Sequence, residues 1–392
     1  MDIARTIDIL EEEEYELQRH EDEIQRYRLV VEKLEAERDR LRRRIEERRS
    51  WMAPIRRLPV EILQQIFIKV CTSGYTSLSI DHEDHVSAPA LTLSRVSAYW
   101  RNVSCGQRAL WSSVSLALDK MTKDLRPLLN FYLTNAADHP LKIHIYDPDD
   151  SQETLPNATV AEMLADLVED LGEYSFWMID FLTSHFAKCE ELSLDIPPVV
   201  LASNTRAQVS FPLLHTLHLD RNEPTRDENG VLVNSWMWNA IRVAPVLREL
   251  TLCSPLPAYL HYIPWERLTS LTVYFVDAYR HLCAALARCC RLVTFDVDEM
   301  SSELSASDNE QSIAVLPCAR YFTLAQTLNI SHMNRVIASL TLPALRELKL
   351  VLRHPQTQSV ALYDFRPLHS MCQRSCWSIT TLNLSVITAY NQ

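Results

Sequence analysis

A leucine pattern that returns along the second half of the chain constrains the fold more than any other feature. Leu-x-x-Leu-x-Leu, or a close apolar variant, occurs at Leu214-Leu217-Leu219, Leu247-Leu250-Leu252, Leu268-Leu271-Val273, Leu292-Phe295-Val297 and Leu345-Leu348-Leu350. Degenerate copies stand at Cys189-Leu192-Leu194, Ala319-Phe322-Leu324 and Ile379-Leu382-Leu384. Their middle residues are separated by 25, 33, 21, 24, 27, 26 and 34 positions, a spacing typical of stacked structural repeats carrying insertions. Pro212, Pro245, Pro317 and Pro343 each stand five positions before a middle residue, where a proline ends one helix and opens an extended segment. Between strands lie helical stretches such as Asp277 to Cys290 and Ile330 to Leu340. Each unit is therefore predicted to be a short parallel strand plus a helix, an α/β repeat whose leucines share one continuous core. Val114-Leu116 and Ile143-Ile145 are predicted to begin the array. Val160 to Ala187 reads as a longer helical insert, and the polar stretch Arg221 to Gly230 as a loop. Because strand side chains alternate faces, Thr251, Thr272 and Lys349 are predicted to point away from the core. An ordinary α/β layered domain is the alternative architecture.

The N-terminus follows a different period. Every seventh residue from Ile3 gives Ile3, Leu10, Leu17, Ile24, Val31, Arg38, Ile45 and Met52, of which seven of eight are apolar. Three positions later come Tyr27, Leu34 and Leu41, which complete a seam in the second half. Thr6, Glu13 and His20 occupy those positions in the first half and weaken it. From Asp2 to Arg49 there is no Pro or Gly, and Glu, Arg and Leu abound, so one long helix of about 45 residues is predicted, ending near Ser50 ahead of Pro54. Charge is segregated along it. Residues 1–23 hold ten acids and two bases, whereas residues 24–57 hold six acids and twelve bases. Residues 1–50 are thus read as a coiled-coil helix that self-associates, and an antiparallel pair would set opposite charges side by side.

Composition narrows the chemistry. The chain has 392 residues, 47% of them hydrophobic and 23% charged, enough to build two or three domains with a core. A net charge of −12 argues against nucleic acid as a partner, because that needs a strong basic field. No apolar run approaches membrane-helix length, and Met1 to Arg28 lacks the apolar stretch of a secretion signal. Only four glycines occur, Gly74, Gly106, Gly172 and Gly230, so the glycine-rich loops that cradle phosphates are absent. The ten cysteines form no Cys-x-x-Cys pair, which excludes the usual zinc and redox frameworks. They read as small buried apolar residues in a reducing compartment, cytoplasmic and/or nuclear. No nucleophile or metalloprotease motif is present, and no enzyme activity is expected.

Between rod and repeats runs Pro-Ile-Arg-Arg-Leu-Pro-Val-Glu-Ile-Leu-Gln-Gln-Ile-Phe, Pro54 to Phe67. Pro59 presets the first helical turn, Glu61 suits the helix N-terminus, and Ile62, Leu63, Ile66, Phe67 and Val70 form a wide apolar stripe. After a polar loop, Thr72 to Ala90, a second stripe comprises Leu93, Val96, Trp100 and Val103, and Leu110-Trp111 closes the segment. Within the loop, His82-Glu83-Asp84-His85 lacks helical histidine spacing or a cysteine partner, so it reads as exposed polar chain rather than a metal site.

Leu58-Pro59, Glu61 to Phe67, Val96-Ser97-Ala98-Tyr99-Trp100-Arg101 and Leu110-Trp111, in that order, resemble the F-box. The resemblance covers about 60 residues, and the chain particularly resembles the fungal F-box-like proteins that carry a coiled coil in front and leucine-rich repeats behind. It departs from the family at Ser97, where Cys is usual, and in the longer loop 72–90. The resemblance implies three segments: a coiled-coil helix over 1–50, a small helical F-box over 54–111, and a leucine-rich-repeat-like solenoid over 112–392. It implies binding to a Skp-type adaptor through Leu58, Pro59, Ile62, Leu63, Ile66, Phe67, Val96 and Trp100, and through it to a cullin-RING ubiquitin ligase. The repeats would take an unknown protein substrate, with no cofactor, metal, nucleic acid or membrane involved. A non-catalytic coiled-coil scaffold without a ubiquitin-ligase role is the alternative.

Overall fold

A computed structural model of the protein describes residues 3–72, 77–81, 85–118, 123–147, 176–196, 209–220, 235–253, 261–276, 279–300, 313–326, 330–354, 366–376 and 379–388. These fall into two compact units, Met1–Gln65 and Ile66–Gln392.

The first unit is dominated by α1, Ile3–Met52, a single helix of 50 residues or roughly 75 Å at 1.5 Å per residue. It runs as long as its sequence stays free of Pro and Gly, and it stops just before Pro54. A 3-10 turn over Pro54–Arg57 follows. Helix α2, Val60–Thr72, begins immediately after Pro59, whose carbonyl accepts the Leu63 N–H at 3.1 Å. The boundary between the units falls inside α2.

The second unit is a mixed α/β region built on a large sheet. Its strands are β1 (Leu78–Ile80), β2 (Val86–Ser87), β3 (Ser113–Ala117), β4 (Leu141–Tyr146), β5 (Cys189–Asp195), β6 (Thr216–Asp220), β7 (Glu249–Leu252), β8 (Ser270–Val276), β9 (Thr294–Met300), β11 (Tyr321–Gln326), β13 (Glu347–His354) and β14 (Thr381–Thr388). The spatial order is β14-β13-β11-β9-β8-β7-β6-β5-β4-β3-β1-β2. From β3 to β14 the order therefore follows the chain, except that β10 (Ala314–Val315) and β12 (Leu340–Thr341) leave to form a small parallel pair of their own. Every pairing in the large sheet is parallel except β1–β2. Helices α5 (Arg126–Ala136), α6 (176–183), α7 (Ser235–Val243), α8 (Tyr279–Leu286), α9 (Ile330–Ser339) and α10 (Arg366–Ser375) occupy crossovers, as parallel neighbours require. Two shorter helices, α3 (Pro89–Val96) and α4 (Ala98–Gly106), precede β3.

The leucine register is the sheet register. Leu192 pairs with Leu217, Leu217 with Leu250, Leu250 with Leu271, Leu271 with Phe295, Phe295 with Phe322, Phe322 with Leu348 and Leu348 with Leu382. The row continues the other way through Ile143 and Val114 to Leu78. All of these except Leu382 are buried, and the Phe295 and Phe322 rings stack at 5.2 Å. The helices supply the rest of the core through residues such as Tyr132, Leu182, Trp238, Leu286, Ile337 and Met371. The four prolines sit in the short turns ahead of β6, β7, β11 and β13.

Three expectations change in detail. The loop 72–90 contains two short strands: Leu78 and Ile80 of β1 are wholly buried, and β1 pairs in parallel with β3 and antiparallel with β2. The second apolar stripe is not one helix. Ser97, at φ −161° and ψ 164°, separates α3 from α4 and caps the latter, its Oγ accepting the Trp100 N–H at 3.1 Å. Thr251 faces away from the leucine core but is only 9% exposed, because His218 and Thr272 flank it in register. Thr272 is half-buried and Lys349 exposed. Most of the insert from Val160, the loop Arg221 to Gly230, Asp277 and His82-Glu83-Asp84 lie outside the described residues. Among the described residues no helix is long and apolar enough to cross a membrane.

Candidate functional site

The apolar stripe of α2 divides into two rows. Leu63, Phe67 and Cys71, four residues apart, are 0 to 1% exposed and belong to the core. Ile62, Ile66 and Val70 occupy a second row at the same spacing and remain 42%, 36% and 45% exposed. In the first unit Leu58 is half-buried and Pro59 exposed. In the second, Val96 and Tyr99 are exposed, while Trp100 is half-buried with its ring 4.9 Å from that of Phe67. Of the eight residues expected to meet an adaptor, Pro59, Ile62, Ile66 and Val96 offer open surface, Leu58 and Trp100 offer part of theirs, and Leu63 and Phe67 offer none. Trp111, which closes the motif, is fully buried, its indole N–H donating to the Ser104 carbonyl at 2.8 Å.

The second candidate surface is the polar face of the sheet. Residues between the two core positions of each strand form a row across it: Ser115, His144, Ser193, His218, Thr251, Thr272, Asp296, Thr323, Lys349 and Asn383. Over β1 to β6 this face sinks into a cleft of about 680 Å³. Its walls include Ser115, Lys142, His144, Tyr146, Glu191 and His218. Lys142 Nζ meets Glu191 Oε2 at 2.7 Å across neighbouring strands, which holds the Lys142 pKa above its ordinary value. Ser115 Oγ lies 3.2 Å from His144 Nδ1, and the His144 and Tyr146 rings stack at 4.9 Å. Burial pushes the His144 pKa down, and His218 on the same face adds to that, with Glu191 opposing. Burial also raises the Tyr146 hydroxyl, to about 12, helped by its hydrogen bond to Asp81 Oδ1 at 3.0 Å.

Toward the C-terminal ends of the strands the face turns acidic. Tyr146 is followed in register by Asp195 and Asp220. Burial and the charges of Asp220 and Asp298 raise the Tyr274 pKa. Hydroxyls, imidazoles and carboxylates at these spacings can hold a polar, base-bearing ligand through hydrogen bonds. Among the described residues no three His, Cys, Asp or Glu side chains converge as metal ligands.

Sequence reasoning singled out none of the polar residues of the cleft. The signal available was positional: His144 stands between Ile143 and Ile145, and His218 between Leu217 and Leu219, the places where a strand turns a side chain away from the core. Compared with known proteins, the chain matches no family model and no curated protein.

Proposed function

We propose that this chain is the substrate-recognition subunit of an SCF-type ubiquitin ligase, a receptor rather than an enzyme. In this reading residues 54–111 act as an F-box that binds a Skp-type adaptor and, through it, a cullin-RING ligase. The sheet region acts as a leucine-rich-repeat-like solenoid that binds the substrate protein. The observation that carries the reading is the second apolar row of α2. A helix that has already committed Leu63, Phe67 and Cys71 to the core keeps Ile62, Ile66 and Val70 in water, the pattern of a helix that docks by an apolar face. The parallel strands that succeed one another in chain order, with leucines in one row, support the solenoid half of the reading. Such a receptor works by placement. It raises the local concentration of substrate near a ubiquitin carrier bound elsewhere in the assembly, and needs no nucleophile of its own. The acidic polar face suits a substrate segment rich in Lys and Arg.

The test uses the full chain. Ile62→Asp combined with Ile66→Asp places two charges on exposed positions, so the fold should stand while adaptor capture falls by at least tenfold. Near-wild-type capture of a purified Skp-type adaptor by the double variant removes the α2 row from the interface. Failure of the wild-type chain to capture the adaptor at all leaves the scaffold alternative in its place.

A further inference from the structure

The heptad seam of α1 is uncovered from Leu10 to Leu41. Leu10, Leu17, Ile24, Tyr27, Leu34 and Leu41 are each 50 to 63% exposed. We propose that α1 pairs with α1 of a second copy of this chain, antiparallel, in the one register where residue i of one helix faces residue 51 − i of the other. The inference is independent of the receptor reading.

The register follows from how antiparallel heptads mesh. First-position residues of one helix pack beside fourth-position residues of its partner, so only offsets of seven are open. Offset 51 sets Leu10 against Leu41, Leu17 against Leu34 and Ile24 against Tyr27, each occurring twice about a two-fold axis between Gln25 and Arg26. The remaining inner layers set Glu13 against Arg38 and His20 against Val31. The one basic first-position residue between Leu10 and Ile45 thereby meets the one acidic fourth-position residue. Shifting by seven either way destroys this match: Glu13 then faces Ile45 or Val31. A parallel pair is worse still, because it stacks Glu13 on Glu13, His20 on His20 and Arg38 on Arg38 along the seam, where like charges repel.

Charge on the whole helix points the same way. Within α1, residues 3–23 sum to −7 (two bases less nine acids) and residues 24–52 to +4 (ten bases less six acids). An antiparallel pair lays each half against its opposite within a screening length. In the isolated helix Arg38 is engaged with its own neighbours, Asp39 at 3.0 Å and Glu35 at 3.8 Å. Both contacts are solvent-exposed, and such pairs hold a guanidinium only weakly.

Sedimentation of the full chain tests the pairing, and a charge exchange tests the register. The wild type should sediment as a dimer at micromolar concentration. Glu13→Arg alone and Arg38→Glu alone should each raise the dimer dissociation constant by roughly tenfold or more, since each sets two like pairs in the seam. An equimolar mixture of the two variants should recover the wild-type constant, because both 13/38 layers of the mixed pair then oppose Arg to Glu. A monomeric wild type, single variants that dimerise as tightly as wild type, or a mixture no tighter than its components would each overturn the proposal. The substituted side chains are exposed, and unchanged helicity by circular dichroism separates loss of pairing from loss of α1.

Discussion

His144 and its neighbours behave according to where β4 puts them. Ile143 and Ile145 are buried in the core, and the imidazole between them turns to the other face, against the Tyr146 ring and Ser115. Its pKa is depressed, so the unfolded chain takes the proton first as pH falls. The stability His144 contributes is complete above the unfolded value, near 6.5, and is lost as pH drops through the lower folded value. His218 lowers that folded value further and Glu191 opposes it, without reversing the sign. Wild-type protein should therefore lose melting temperature faster between about pH 7.5 and about pH 5.5 than His144→Gln. Equal slopes in the two proteins would show that another group governs the range. The cysteines correct an expectation: only Cys71, Cys189, Cys283 and Cys289 are buried, while Cys290, Cys318 and Cys376 are exposed; burial raises the Cys71 thiol to about 11 and Cys289 to about 12, well outside the range of reactive thiolates. Ser97 caps α4 through its Oγ, a role worth about 1 kcal/mol and available to a hydroxyl rather than a thiol.

At the scale of elements the strands make the sharpest claim. Leu271 is 0% exposed with Leu250 and Phe295 beside it in register, so Leu271→Ala should cost roughly 2–5 kcal/mol. Thr272, on the opposite face and half-buried, should cost less than about 1 kcal/mol when cut to Ala. Hydrogen exchange should rise in Leu271→Ala mainly from β7 to β9, with β3 and β13 less affected. Equal destabilisation by both substitutions would mean that the strand register is wrong. This register was legible in the sequence because a strand with one buried face must alternate, and eight copies repeat the alternation. Two elements were not legible, for physical reasons. Strand β1 spans three residues, too few for a period, and its place is set by parallel pairing with β3, a partner 36 positions away. The break at Ser97 hid behind the spacing Leu93, Val96, Trp100, Val103, which a continuous helix satisfies equally well. On α2 the apolar positions were all visible, but their division into a buried and an exposed row depends on tertiary packing. Which apolar positions of α2 end up exposed, Ile62, Ile66 and Val70, could therefore not be read from the sequence.

For the molecule as a whole, the order of the strands matters more than their number. Each strand of the large sheet from β4 to β13 rests on one earlier and one later strand of that sheet in chain order, and the last, β14, leaves Leu382 and Leu384 about half exposed (51% and 53%). Contacts of this kind are local along the array, so disruption at one end need not travel to the other. Stretched between its termini in a force experiment, the sheet should not rupture in one event. It should peel from β14 inward, releasing chain in steps set by the unit length of 21 to 34 residues, roughly 75 to 120 Å each when fully extended. A single all-or-none release would contradict that picture. A protein that yields in instalments can lose an outer strand to a passing load and re-anneal it on the template that remains, so its tolerance of mechanical insult is graded rather than absolute.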